Sequence, residues 1–110
     1  MLAAMEKAKE KIAEGVRCSE VDFAVREVIA QKGYGEYFTH STGHSVGLEI
    51  HEAPNLSPKC EKLLKAGNVV TDEPGIYIEN EFGVRIEDMV VVTKNGCKTI
   101  SNCKNSLIIL

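Results

Sequence analysis

The sequence predicts an α+β fold in which two helices precede a mostly antiparallel sheet. Strong helix formers fill the first third of the chain, and their apolar residues recur at helical spacing. Beyond Tyr34 the composition changes to glycines, β-branched residues and short alternating segments, which are typical of strands and turns. The 110 residues suffice for one small domain, and 44% hydrophobic with 26% charged residues is typical of a globular chain.

The first helix is predicted over residues 2–14. Its sequence, LAAMEKAKEKIAE, is rich in strong helix formers, and Met5, Ala8 and Ile12 lie on one helical face. Gly15 follows directly and is expected to end the helix.

A second amphipathic helix is predicted between Ser19 and Gly33. Ser19 offers its hydroxyl as an N-cap, and Asp22 follows three residues later. The apolar stripe of this helix consists of Val21, Ala24, Val25, Val28 and Ile29.

A strand is predicted over residues 45–51, where apolar and other residues alternate. Val46, Leu48 and Ile50 share one face, so His51 should lie opposite the buried face.

The rest of the chain predicts a helical turn and further strands. Ser57 and Pro58 fit an N-cap and a first helical position, and Gly67 should end that turn. Strands are predicted over residues 69–71, 76–78 and 84–93, and Asn95-Gly96 predicts a tight hairpin into residues 97–101. The tail, residues 102–110, fits a last strand or a strip that packs against another surface.

Charge and cysteine content exclude several classes of partner. The net charge is −3, with 16 acidic and 13 basic side chains, and neither sign forms a long run. The pattern therefore predicts no nucleic-acid binding and no membrane-surface binding, and no stretch approaches the roughly 18 apolar residues of a membrane span. The four cysteines form no C-x-x-C pair, which predicts reduced thiols in a cytoplasmic protein.

All the histidines lie within twelve residues, at His40, His44 and His51, beside Gly43 and Gly47. Imidazole is the commonest neutral metal ligand and the usual proton carrier, and glycines let the backbone approach a bound group closely. Structural histidines that merely satisfy hydrogen bonds in a turn remain an equal alternative on this observation alone.

Carboxylates add to the cluster from two later segments. Glu73 stands at a strand end just before a Pro-Gly turn, where its side chain can be directed into a cleft. In VRIED the alternation places Arg85 and Glu87 on one face of a strand, and by itself this pattern favours a weak ion pair on an exposed sheet face. One imidazole and two carboxylates together fit a site for a hard or borderline divalent metal, zinc included.

The segments HSTGHSVGLEIHE, VVTDEPGIY and GVRIED, in that order, resemble the family of methionine aminopeptidases, aminopeptidase P and prolidases. The resemblance runs over about residues 3–101. It implies the pita-bread fold, of which residues 1–110 would form the C-terminal half of the catalytic domain.

The resemblance also implies the roles of particular residues. His44 and Glu73 would be metal ligands, and Glu87 would bridge two divalent ions, with manganese or cobalt the expected metals. His40 would line the site, and with Arg85 it favours a prolidase or aminopeptidase P over a methionine aminopeptidase.

The implied reaction is metal-assisted hydrolysis of Xaa-Pro bonds in short proline-containing peptides. Glu73 would carry a proton towards the leaving amine, and His51 would stabilise developing oxyanion charge.

The family also uses two aspartate ligands from an earlier D-x-G half, and no aspartate here has that context. The chain is therefore expected to be a fragment, inactive by itself, whose uncovered apolar surface favours self-association into a homo-oligomer. Alternatives are a non-catalytic pita-bread module that binds peptides or proteins, a metal-free amidinohydrolase, and a purely structural α+β domain. The presence of both glutamates argues against the amidinohydrolase, and the three ordered motifs argue against the structural domain.

Overall fold

The fold was analysed in a computed structural model that describes residues 1–46 and 52–101, with residues 52–54 described by their backbone only. Within these residues, two α-helices and a short 3₁₀ helix precede seven strands. The helices are α1 (Leu2–Lys11), α2 (Cys18–Gln31) and the 3₁₀ helix (Gly35–Tyr37). The strands are β1 (Gly43–Ser45), β2 (Glu52–Leu56), β3 (Val69–Asp72), β4 (Gly75–Ile78), β5 (Phe82–Arg85), β6 (Asp88–Thr93) and β7 (Gly96–Thr99).

The strands form one five-stranded sheet in the order β2-β1-β3-β6-β7 and a separate hairpin of β4 and β5. Every strand pair in the described part of the chain is antiparallel. This arrangement confirms the predicted α+β class with its mostly antiparallel sheet.

The core lies between the two helices and the five-stranded sheet. α1 contacts α2, β3 and β7, while α2 contacts β2, so the helices cover the sheet across its width. Burial of these apolar side chains is the main source of stability. Fully buried members include Met5, Ile12, Val21, Val25, Leu56, Leu64, Val70 and Val90.

Both predicted helices are confirmed, with different ends. α1 stops at Lys11 because Ile12 is already extended. α2 begins at Cys18, with Arg17 as its N-cap, so the predicted cap at Ser19 is wrong. The backbone amides of Cys18 and Ser19 instead donate to the carbonyls of Lys62 and Cys60, both at 2.9 Å, which leaves these amides no need of a side-chain cap.

The same contacts explain why the helical turn predicted from Ser57 to Gly67 is wrong. Residues 60–64 run extended beside the start of α2, and Leu63 forms an antiparallel bridge with Arg17. Backbone groups of this segment therefore bond to a distant part of the chain rather than to each other.

The single strand predicted over residues 84–93 is also wrong. β5 ends at Arg85 and β6 begins at Asp88, and these strands belong to different sheets. The chain leaves the hairpin at Ile86, whose amide donates weakly to the Pro74 carbonyl at 3.4 Å. Glu87 therefore lies in the connection between the sheets and not on one strand face with Arg85.

The strand predicted from Ser45 differs as well. β1 ends at Ser45, and Val46 already lies outside it. The remaining predicted positions, 47–51, lie outside the described residues. A strand that was not predicted as such, β2, returns antiparallel to β1 and pairs Asn55 with His44.

The predicted hairpin is confirmed, but its turn lies one residue earlier than Asn95-Gly96: Thr93 pairs with Gly96, so Lys94 and Asn95 form the two-residue turn. β7 ends at Thr99. None of the helices among the described residues has the length and apolar character needed to cross a membrane.

Candidate metal centre

The end of β1 is brought against β3 by a glycine. A Cβ on Gly43 would lie 1.8 Å from the carbonyl oxygen of Thr71, so only glycine allows this approach. The His44 amide donates to Thr71 Oγ1 at 3.0 Å, and the Glu73 amide donates to the Thr42 carbonyl at 2.8 Å. These contacts place His44 and Glu73 side by side on neighbouring strand ends.

The imidazole of His44 faces the carboxylate of Glu73, with Nε2 and Oε2 3.4 Å apart. His44 Nδ1 lies 3.1 Å from the Ser45 carbonyl, and since a carbonyl can only accept, Nδ1 carries the hydrogen. In the neutral ring Nε2 therefore presents a lone pair towards Glu73. This tautomer is the one a metal-ligating Nε2 needs.

The same carboxylate oxygen lacks a hydrogen-bond partner. Glu73 Oε2 is buried, and its separation from His44 fits an ion pair but provides no hydrogen bond among the described residues. A buried carboxylate oxygen without a hydrogen bond is stabilised by a proton or a cation beside it. The donor chemistry of His44 and Glu73 thus fits a divalent ion.

Glu87 joins this pair from the connection between β5 and β6. Burial raises the pKa of its carboxyl, repulsion by Glu73 and a hydrogen bond with Glu73 raise it further, and Arg85 and His44 oppose the shift. Glu87 therefore lies within interaction range of both predicted ligands. As they stand, however, no three His, Cys, Asp or Glu side chains in the described ranges are arranged to hold a metal ion.

A cleft of about 360 Å³ opens above these residues. It is lined by His40, Ser41, Gly43, His44, Asn55, Glu73 and Arg85. A larger cavity of about 600 Å³ lies beside α1 and α2, but its lining contains no histidine. The smaller cleft is the better candidate because the chemically reactive groups converge there.

His40 is held at the edge of this cleft by Tyr77. Its Nδ1 lies 2.7 Å from the Ser41 carbonyl and must donate, so its Nε2 accepts from the Tyr77 hydroxyl at 2.8 Å. A Cβ on Gly75 would lie 2.8 Å from the Tyr77 hydroxyl oxygen and 3.1 Å from His40 Nε2. The glycine of the Pro-Gly turn therefore leaves room for this hydrogen bond.

Comparison with known proteins identifies the family of this chain. The sequence profile of metallopeptidase family M24 matches residues 1–94. The chain belongs to metallopeptidase family M24.

Relatives of this M24 chain include the Xaa-Pro dipeptidase of Pyrococcus horikoshii, which is 49% identical over 108 residues. That match covers 98% of this chain and 31% of the relative. The uncharacterized peptidase YqhT of Bacillus subtilis is 52% identical over 99 residues, covering 90% of this chain and 28% of the relative. The chain thus spans about a third of the length of the curated relatives it matches.

Solved structures show the same fold. An Xaa-Pro dipeptidase from Bacillus anthracis superposes with a TM-score of 0.96 at 49% identity, covering 99% of this chain and 31% of that one. An X-Pro aminopeptidase from Thermotoga maritima superposes with a TM-score of 0.95 at 42% identity, covering 99% and 31%. The M24 chain therefore has the pita-bread fold, and its family implies divalent metal ions in the whole enzymes.

The M24 chain buries two aspartates behind the cleft. Asp72 and Asp88 are paired across β3 and β6. Asp72 directly precedes the predicted ligand Glu73, and Asp88 directly follows the predicted ligand Glu87. Lys9 of α1 donates to Asp88 Oδ2 at 2.8 Å, and the Ser101 hydroxyl donates to Asp88 Oδ1 at 2.6 Å. Strand alternation sends Glu73 to the cleft and Asp72 to the helix side.

Asp72 is fully buried, and neither carboxylate oxygen has a hydrogen-bond partner among the described residues. Burial raises its pKa to about 8, Lys9 opposes the shift, and the charges of Asp88, Glu6 and Glu73 add to it.

Of the six residues singled out in the sequence, five lie around the cleft or beside its ligands: His40, His44, Glu73, Arg85 and Glu87. His51 lies outside the described residues. The sequence reasoning missed Tyr77 and Asn55. Tyr77 lies two residues after Gly75 of the Pro-Gly turn, and strand alternation places it on the face opposite Ile76 and Ile78. This pattern could have indicated that Tyr77 belongs to the site.

Proposed function

We propose that this chain is the C-terminal half, over residues 1–110, of the catalytic domain of an Xaa-Pro metallopeptidase of the prolidase or aminopeptidase P type. The observation that carries the proposal is the opposition of His44 Nε2 and Glu73 Oε2 at 3.4 Å with Glu87 alongside. Relatives named Xaa-Pro dipeptidase and X-Pro aminopeptidase, at 49% and 42% identity, support the substrate class.

His44, Glu73 and Glu87 would hold the metal, with Glu87 shared between two ions. A divalent ion supplies Lewis-acid polarisation of the scissile carbonyl and an activated water at neutral pH. Manganese or cobalt are the proposed ions, as the family resemblance implies, and carboxylate ligands suit manganese.

The protein groups would divide the remaining work. Glu73 is proposed to carry a proton towards the leaving amine, and its buried Oε2, which has no hydrogen-bond partner among the described residues, supports this role. His40 and Arg85 line the cleft and would contact the peptide, and His51 is proposed to stabilise oxyanion charge.

The chain by itself would be inactive. It spans about a third of its relatives, and the two aspartate ligands expected from a D-x-G segment are absent from its sequence. Three ligands provide fewer negative charges to offset dehydration of a divalent ion, so metal binding by the chain should be weak.

The proposed partners are short proline-containing peptides and a second copy of the chain, with neither nucleic acid nor membrane, in the cytoplasm. An apolar groove of about 380 Å³ supports self-association. It is lined in part by Ile29, Tyr34, Ile76, Phe82 and Val84.

A non-catalytic peptide-binding module is the second candidate. It is favoured by one observation: no three ligating side chains in the described residues are yet arranged around a common point. Such a module would bind proline-containing peptides in the same cleft without metal.

A chimera separates the two candidates. The chain would replace the matched 108 residues of the Pyrococcus horikoshii dipeptidase, and hydrolysis of a dipeptide with C-terminal proline would be measured with manganese present. The peptidase proposal predicts activity that is lost in the same chimera carrying Glu73→Gln. A folded chimera that binds the dipeptide but never hydrolyses it would support the binding module instead.

A further inference from the structure

An ion pair on α2, Asp22 with Arg26, forms hydrogen bonds to the backbone around His40. Arg26 Nε donates to Asp22 Oδ2 at 2.6 Å, and the two residues are one helical turn apart. Arg26 Nη1 donates to the Phe38 carbonyl at 2.9 Å, and Nη2 donates to the His40 carbonyl at 2.7 Å. One guanidinium thus binds a carboxylate and two backbone carbonyls at once, which uses its planar fork of donors.

Asp22 holds the other end of the same segment. Its Oδ1 accepts from the Thr42 amide at 3.0 Å and from the Thr42 hydroxyl at 2.9 Å. Asp22 is completely buried, and with these bonds and Arg26 its carboxylate is well satisfied. The pair therefore fixes alternate residues, Phe38, His40 and Thr42, to one face of α2.

The rings on this segment add to the fixation. The Arg26 guanidinium lies 4.3 Å from the centroid of the Phe38 ring, and Phe38 makes an edge-on contact with His40 at 5.2 Å between centroids. The Phe38 side chain is buried in the core. Backbone and ring contacts thus reach His40 from the same helix.

We propose that Asp22 and Arg26 are positioning residues for the peptidase reaction: they set the backbone of residues 38–42 so that His40 keeps one orientation and one tautomer in the cleft. This inference rests on the proposed function, because it assigns His40 a role in handling the peptide. Neither residue lines the 360 Å³ cleft, so each acts through His40.

The tautomer follows from the backbone. His40 Nδ1 donates to the carbonyl of Ser41, the next residue, and this leaves Nε2 as the acceptor of the Tyr77 hydroxyl. When the carbonyls of Phe38 and His40 lose the Arg26 guanidinium as their donor, residues 38–42 are released from α2. The Ser41 carbonyl then no longer accepts from His40 Nδ1. Exposed imidazole then returns to a mixture of tautomers.

The Asp22–Arg26 pair is also connected to the proposed metal ligands through Thr42. Thr42, held by Asp22, accepts the Glu73 amide at its carbonyl at 2.8 Å. His44 follows two residues later. Residues 38–44 thus form one continuous strip between α2 and β3, which explains why the buried carboxylate of Asp22 is kept here with the half-buried guanidinium of Arg26 as its partner.

The test is two-dimensional ¹⁵N NMR of the histidine side chains in the chain itself, compared among Arg26→Met, Arg26→Lys and the unaltered sequence. Arg26→Met is expected to lose the Nδ1–H tautomer of His40 and its coupling to Tyr77. Arg26→Lys keeps the charge but cannot serve the carboxylate and two carbonyls together, so it should fail to restore that tautomer. Ile12→Ala, directly after α1 in the core, is the control, since it should lower the unfolding temperature but leave the His40 signals unchanged.

Retention of the Nδ1–H tautomer in folded Arg26→Met, or its loss in Ile12→Ala as well, would overturn the inference. Full restoration by Arg26→Lys would also overturn it, because charge alone would then suffice. This readout needs neither metal nor hydrolysis, so it remains informative if the chimera proves inactive. In an active chimera, Arg26→Met should lower kcat/KM roughly tenfold to a hundredfold through misplacement of His40, and an unchanged value would contradict the positioning role.

Discussion

His44 and Glu73 are 29 positions apart in the sequence, yet their Nε2 and Oε2 atoms lie 3.4 Å apart. The backbone of Ser45 holds the hydrogen of the imidazole on Nδ1, and Glu73 leaves a buried oxygen without a hydrogen bond. Each acceptor would gain from a cation between them, so the properties of this pair should respond to divalent metal.

Glu73→Gln is expected to weaken manganese binding by at least about tenfold, because an amide oxygen carries no charge to offset ion dehydration. Isothermal titration calorimetry of the chain checks this. Glu79→Gln is the matched control, since Glu79 is exposed at the end of the β4–β5 hairpin. Equal affinities in the two variants would mean that the ion binds elsewhere.

The buried carboxyl of Asp72 should make stability fall as pH rises. Its folded-state pKa of about 8 exceeds the ordinary 3.8, so between these values the folded chain holds a proton that the unfolded chain has released. Stability from this group is therefore highest below about pH 4 and declines through pH 8. The loss by pH 7 is on the order of a few kcal/mol, at about 1.4 kcal/mol per pKa unit.

Asp72→Asn removes this titration and should flatten the pH dependence, with a gain in stability at pH 7 and above. Urea unfolding at pH 5 and pH 8 measures the difference. If both proteins lose the same stability between the two pH values, the burial argument for Asp72 fails.

Gly43→Ala is expected to destabilise the fold by roughly 3 kcal/mol or more, because the new Cβ would lie 1.8 Å from the Thr71 carbonyl and would force β1 away from β3. Gly96→Ala is the control, since a Cβ there meets nothing within 4 Å. Chemical denaturation compares the two variants. A Gly43→Ala chain as stable as Gly96→Ala would show that the strands do not approach this closely.

Self-association is expected to depend on the apolar groove beside the hairpin. Phe82 and Val84 expose 51% and 43% of their surface there, and their burial between two copies would be favourable. Phe82→Ser should shift the sedimentation distribution towards monomer. Phe23→Ser is the control, because Phe23 is 67% exposed but lines the 600 Å³ cavity beside α1 and α2. An equal shift of the sedimentation distribution in both variants would argue against self-association through the groove.

The sequence predicted what local spacing determines. The apolar stripes of α1 and α2, the hairpin before Gly96 and the convergence of His44 and Glu73 were all predictable from the sequence. The interruption of the predicted strand at Ile86 and Glu87 could not be predicted, because residues 84–93 keep a strand-like composition through the point where the chain passes from one sheet to the other.

Long-range backbone and side-chain partners were also beyond the sequence. The carbonyls of Cys60 and Lys62 replace the expected cap of α2, and the Arg26 contacts with Phe38 and His40 join segments that carry no local sign of meeting. A predicted helical N-cap or a lone acidic residue such as Asp22 gives no hint of its tertiary partner.

The location of the metal is the central claim, and a titration with manganese followed by NMR tests it most directly. Paramagnetic broadening should appear first at the His44 side chain and at the amides of Glu73 and Glu87, and in Glu73→Gln it should require at least about tenfold more manganese. Broadening that begins instead around Glu6 and Asp88, or that persists unchanged in Glu73→Gln, would contradict the metal centre described for this chain.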